Sequence, residues 1–140
     1  MEQRCEKCVM VLDEGLPRGL LANTAAIMGI TLGERRPEVV GPDVADRSGG
    51  RHPGIIEFPV PILSGSPERI RQIREKLGQP EFQDLTAVDF SDLAQGCKTY
   101  GEFIGKMADV PESDLRYLGI ALCGARKKVD RLTGGLPLLR

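Results

Sequence analysis

Residues 15–29 read GLPRGLLANTAAIMG and follow the apolar run CVMVL after Asp13 and Glu14. A strand that feeds a helix through a glycine-containing turn leaves the first N–H groups of the helix unpaired, and such groups attract anions. The stretch lacks the Gly-Lys-Ser/Thr ending of a phosphate loop and the third glycine of a dinucleotide fingerprint. Two readings remain: anion attraction at the start of the helix, or a turn merely shaped by Gly15 and Pro17. Cys5 and Cys8 form a CEKC pair, which could be half of a zinc site. A structural zinc site wants four ligands, and the other donors are His52 and two cysteines, Cys97 and Cys123, in apolar segments. The pair also precedes a strand, whereas a thioredoxin-like redox pair opens a helix. All four cysteines are therefore expected as reduced thiols, none in a disulfide, with no metal and no cofactor. His52 would be the natural general base near neutral pH, but between Arg51 and Pro53 in a glycine-rich loop it reads as a surface residue. No Ser-His-Asp or Cys-His constellation can be assembled.

The carboxy-terminal stretch from residue 116 holds Arg116, Arg126, Lys127, Lys128, Arg131 and Arg140 against Asp130 alone, a local balance of +5. Arg126 and Lys127 open a short helix and Asp130 lies near its end, the reverse of what the helix dipole favours at roughly 0.3–1 kcal/mol per exposed charge. Charge set against local stability is compatible with anion binding and equally with a solvated cationic face.

The elements that must position these residues are legible as periodicities. Residues 8–12 and 117–123 are nearly continuous apolar runs, as expected for strands covered on both faces, and 85–88 is a weaker third. Residues 55–63, IIEFPVPIL, alternate like a strand, and their prolines place it at a sheet edge. The clearest helix spans 67–77, with Ser66 as N-cap, Pro67 first, Ile70, Ile73 and Leu77 as the apolar stripe, and Gly78 as the stop. Residues 91–108 predict a helix broken near 96–101, and 125–132 a final short helix closed by Gly134. Residues 41–54 are too rich in Gly and Pro for regular structure. The order predicts a three-layer α/β domain with a small mixed sheet flanked by helices, a single domain over residues 1–140.

The bulk numbers agree with one soluble core. The 140 residues are 41% hydrophobic and 28% charged with net charge −1, which calls for neither nucleic acid nor anionic membrane. No apolar run approaches the roughly 20 residues of a membrane helix, and nothing near the amino terminus reads as a signal peptide, so no membrane partner and a cytoplasmic location are expected.

Two blocks, CVMVLDEGLPRGLLANTAAIMG near the start and YLGIALCGARKKVDRLTGGLPLL at the end, resemble the type II peptidyl-tRNA hydrolases, and closer still an uncharacterised bacterial family with that fold. The resemblance implies a mixed sheet with helices on both faces, a homodimer, and in the hydrolases a cleft that cleaves the ester joining peptide to tRNA. Asp13, Gly19, Ala22, Asp130, Thr133 and Gly134 fall on matching positions. Asp130 would match a carboxylate and Thr133 a hydroxyl of the hydrolase cleft, making them the candidate catalytic residues, and Arg18 takes the place of a basic residue near the turn. Where the hydrolases carry lysine, glutamine and histidine, this chain has Leu20, Thr24 and Ile27, on one helix face. Ester hydrolysis needs a preorganised donor for the oxyanion, and losing one costs ~10²–10³ in rate. The resemblance therefore implies a non-hydrolase binding module for an anionic ligand, a nucleotide or an RNA end such as that of tRNA. Its cleft would lie between the first helix and residues 130–133, with Asp13, Arg18, Asn23, Thr24 and Lys127 as ligand-binding residues. One alternative is a hydrolase of altered chemistry in which Asp130 orients water, Thr133 or Asn23 binds the oxyanion, and Arg18 or His52 supplies the missing charge. Another is a non-catalytic protein-interaction module with residues 41–54 as its handle.

Overall fold

The computed structural model describes residues 4–140. Its elements in chain order are β1 (Lys7–Asp13), α1 (Arg18–Arg35), β2 (Val44–Ala45), β3 (Arg51–His52), β4 (Ile62–Gly65), α2 (Pro67–Lys76), β5 (Thr86–Ser91), α3 (Asp92–Gln95), α4 (Tyr100–Asp109), β6 (Tyr117–Gly124) and α5 (Arg126–Thr133). The main sheet has the order β4-β1-β6-β5, with β1 parallel to β4 and β6 antiparallel to both β1 and β5. It is mixed, as expected.

The two continuous apolar runs became the two inner strands because both of their faces are covered. Val9, Val11, Ile120 and Leu122 point to one side, where Ile70 and Ile73 of α2 and Val129 and Leu132 of α5 meet them. Cys8, Met10, Leu12, Ala121 and Cys123 point to the other, against Met28 and Leu32 of α1. The sheet thus separates α1 from α2 and α5, giving three layers. α1 docks through Thr24, Met28 and Leu32, a stripe at i, i+4 and i+8. Gly119 of β6 lies beneath it.

α2 runs as the pattern predicts: the Ser66 hydroxyl accepts from the Arg69 N–H, a cap worth about 1 kcal/mol. The broken helix appears as α3 and α4, and the final helix as α5 with Gly134 beyond it.

Three expectations are corrected. The strand expected over 55–63 begins only at Ile62 and runs on to Gly65 as β4, because Pro59 and Pro61 have no N–H to donate; residues before it make only an isolated bridge, Val40 to Ile56. Its position is indeed at an edge, and the chain's tail covers it: Ser64 donates to Pro137 O at 2.8 Å and Leu139 to Ile62 O at 2.9 Å. Residues 41–54 are not irregular throughout, since β2 and β3 pair as a small hairpin. Asp46 builds its turn by accepting from Ser48 N–H and Gly50 N–H, and Gly49 takes φ of +89°. The third correction concerns sulfur: Cys5 and Cys123 are bonded to each other. Among the described residues no helix is long and apolar enough to cross a membrane.

Candidate functional site

β1 and β4 end at the same edge of the sheet, where β6 begins. Parallel strand ends of this kind are where α/β sheets place ligands. Asp13, the last residue of β1, is 2% exposed. One of its carboxylate oxygens accepts from Gly15 N–H at 2.9 Å, closing the turn into α1, and the other accepts from Arg116 Nη2 at 2.9 Å. Arg116, which directly precedes β6, is thereby drawn onto the β1–α1 turn while more than half of its side chain stays exposed. Its backbone N–H donates to Asp92 at the start of α3, and Ser64 of β4 donates to Glu14 at 2.6 Å, so four segments are tied together at this edge.

α1 begins there too. Pro17 caps it without a side-chain acceptor, no acidic residue occupies its first turn, and a side chain at Gly19 would meet only open space. Its first N–H groups therefore have no side-chain acceptor, and Arg18 beside them is exposed. Next to Arg116 a crevice of about 600 Å³ lies between α2 and the start of β6, with Pro67, Arg71 and Tyr117 in its walls. Arg71 stacks on the Tyr117 ring at 5.2 Å and donates to Glu112 at 2.7 Å, while the Tyr117 hydroxyl donates to the same carboxylate at 2.6 Å. That hydroxyl bond, with Arg71 nearby, holds the Glu112 carboxyl below its ordinary range; burial and the same bond raise the Tyr117 phenol.

The residues expected to bind or react fall into two groups. Asp13 and Arg18 share the strand-end edge. Asn23 is exposed and donates to Gln95 of α3 at 3.2 Å. Thr24 is fully buried against β6 and its hydroxyl has no partner, so it faces the core rather than a cleft. A buried hydroxyl without a hydrogen bond is a net cost, and Thr24→Val is expected to raise stability by about 1 kcal/mol in urea unfolding. A loss of stability would mean that the hydroxyl has a partner in solution.

Asp130, Thr133 and Lys127 lie on α5, across the sheet from α1, so the cleft expected between the first helix and residues 130–133 is not formed. Asp130 pairs with Lys7 at 2.5 Å, and the buried Thr133 hydroxyl donates to Val129 O at 2.8 Å. Lys127 is exposed. His52 pairs with Asp46 in the hairpin. Three of the six cations of the carboxy-terminal stretch have acidic partners distant in sequence: Asp13 for Arg116, Asp84 for Lys128 and Glu81 for Arg131. Two arginines of α2 likewise tie it to its neighbours: Arg69 donates to Leu132 O and Arg74 pairs with Asp89.

Sequence reasoning missed Arg116, whose role depends on β6 pairing beside β1. It also missed a sulfur cluster at the opposite end of the same two strands. Cys8 and Cys123 are register partners, and Cys5 folds back so that its sulfur is 3.6 Å from that of Cys8. The three sulfurs lie within 4.8 Å of one another, and all three residues are buried. Burial pushes the Cys8 thiol up to about 11. The signal was present in the sequence as a cysteine in each of the two inner-strand runs.

A family model described as "Protein of unknown function (DUF2000)" matches residues 6–140. No curated protein matches the chain. The fold is similar to the solved structure of a protein of unknown function from Agrobacterium tumefaciens strain C58, with a TM-score of 0.83 and 19% identity over 94% of this chain and 96% of that one.

Proposed function

We propose that this chain, which belongs to the DUF2000 family, is a binding module of peptidyl-tRNA hydrolase II-like fold that takes an anionic ligand at the β1–α1 turn. One observation carries the reading: the uncapped, acid-free first turn of α1 and the guanidinium of Arg116, held there by Asp13, converge on one edge with Arg18. Free N–H groups and cations together favour phosphate or carboxylate. The resemblance of the chain ends to tRNA-handling enzymes suggests a nucleotide or an RNA 3′ end as the anion. The absence of a cation at Leu20 and Ile27 supports binding without ester cleavage, and so does the separation of Asp130 and Thr133 from α1.

Titration of tRNA and of nucleotides by fluorescence anisotropy at several salt concentrations tests the reading. Micromolar binding that weakens with salt, and weakens further in Arg18→Ala and Arg116→Ala, is expected. No salt-sensitive binding at micromolar protein refutes it.

A second reading, a protein-interaction surface, is favoured by a separate feature. Ile27, Ile30, Tyr100 and Ile104 are exposed on α1 and α4, beside a largely apolar groove of about 450 Å³ that reaches Phe103 and Met107. α4 buries none of its residues fully despite having an apolar side. If two copies associate through this face, solution mass measurement gives a dimer; a monomer at tens of micromolar removes the homodimer.

A further inference from the structure

We propose that the reduced protein binds one thiophilic metal ion, Cu(I), between the sulfurs of Cys5, Cys8 and Cys123, and that the Cys5–Cys123 bond is the form that excludes it. A disulfide requires two sulfurs, and here a third is built in beside them. Cys8 and Cys123 sit opposite each other on the two inner strands, so sheet register alone keeps them together. Cys5 is returned to them by the backbone: the Glu6 N–H donates to Gly124 O at 2.9 Å, extending the β1–β6 ladder past its end. Register and this hydrogen bond are backbone features that hold the three cysteines near one another alongside the bond itself.

The donor set selects the ion. Sulfurs around one ion with metal–sulfur bonds near 2.3 Å lie about 3.8–4.0 Å apart. With the Cys5–Cys123 bond intact, Cys5 and Cys8 are at 3.6 Å and all three sulfurs lie within 4.8 Å of one another; on reduction the Cys5–Cys123 pair must open to the same spacing. No carboxylate or imidazole joins the group among the described residues. Three thiolates without a fourth protein ligand suit soft Cu(I), whereas zinc prefers four. Met10, Val39, Leu118 and Ala121 belong to the same buried cluster, which keeps the site dry. Entry is from the side of Cys5, which borders a pocket of about 290 Å³ that Glu6, Glu38 and Glu57 also line.

The chemistry balances with a dithiol reductant. It supplies two electrons and two protons, the Cys5–Cys123 bond breaks to two thiols, and the dithiol becomes its own disulfide. Cu(I) then displaces the three thiol protons to solvent.

The test uses the full chain, reduced with dithiothreitol, desalted without air and titrated with Cu(I) against a chromophoric competitor. One equivalent is expected to bind tightly to the reduced protein and none to the oxidised protein. Cys8→Ser should weaken binding by about a hundredfold or more, and Cys97→Ser, which changes a thiol bonded to Leu93 O away from the cluster, should leave it unchanged. Absence of stoichiometric uptake by the reduced wild type overturns the proposal, as does uptake that survives Cys8→Ser or depends on Cys97. X-ray absorption on the wild type needs no variant to fold: three sulfur neighbours support the site, and two sulfurs or any nitrogen or oxygen ligand refute it.

Discussion

Gly119→Val is expected to destabilise the protein by about 3 kcal/mol or more, the largest effect of any single substitution considered. Gly119 lies on the central strand β6 directly beneath α1. A Cβ there would come within 2.8 Å of Leu12 Cδ2 and within 2.9 Å of both Met28 Cε and Thr24 Cγ2, closer than such atoms approach in folded proteins. Two of these neighbours are long, flexible side chains, but Leu12 is 1% and Met28 0% exposed, so neither has free space to move into. Overpacking of this kind typically costs 1–3 kcal/mol for small additions, and valine adds three carbons at once. The strain is relieved only if α1 lifts from the sheet, which would also displace Arg18 and the helix start. Urea unfolding measures the cost. Gly119→Ala should lose about 1–2 kcal/mol, and a valine variant within 1 kcal/mol of wild type would mean that α1 is not seated on β6 at this point.

The second large effect is at Asp13. Asp13→Ala removes a buried acceptor that serves the Gly15 N–H and the Arg116 guanidinium, and hydrogen bonds to charged groups are worth about 1.5–3 kcal/mol each. Arg116 is more than half exposed, so water recovers much of its share, and a total loss of about 2–3 kcal/mol is expected. The N–H of Gly15 is left without its acceptor, which loosens the turn into α1. Asp13→Asn keeps an oxygen for Gly15 but not the charge for Arg116, and should recover roughly half of the loss. The two variants also separate stability from the proposed binding: at a temperature where both are folded, the proposal expects both to bind tRNA or a nucleotide less well than the wild type, because Arg116 is no longer held over the turn. If Asp13→Ala unfolds at the wild-type urea midpoint, the carboxylate does not organise this edge.

Much of the architecture was legible because its signals are local. Continuous apolar runs marked β1 and β6, Ser66 and Pro67 marked the start of α2, and Gly134 closed α5; each follows from residues within one or two turns. The expected strand over 55–63 was misjudged because alternation was weighed above the missing N–H groups of Pro59 and Pro61. The hairpin in residues 41–54 was overlooked because its turn is built by a side chain, Asp46, bonding several groups around it rather than by an apolar pattern.

The site was less legible. Asp13 and Arg18 do lie at the turn into α1, whereas Asp130 and Thr133, expected in the same cleft, are separated from α1 by the sheet. Sequence order cannot say which face of a sheet a helix covers, and α1 and α5 pack on opposite faces. The cationic carboxy-terminal stretch misled for a related reason: its charges are counted together in sequence, but Arg116, Lys128 and Arg131 are neutralised separately by Asp13, Asp84 and Glu81.

By itself the sequence determined where α2 begins, where α5 ends, which residues are apolar enough to be inner strands, and that β1 would hand the chain to an uncapped helix start. These depend on backbone conformation and side-chain periodicity over a few residues. Only the tertiary structure decided that Arg116 would meet Asp13 and that Cys5, Cys8 and Cys123 would share one buried point. Both meetings are created by the antiparallel register of β1 against β6, a pairing across more than a hundred residues that no local pattern encodes.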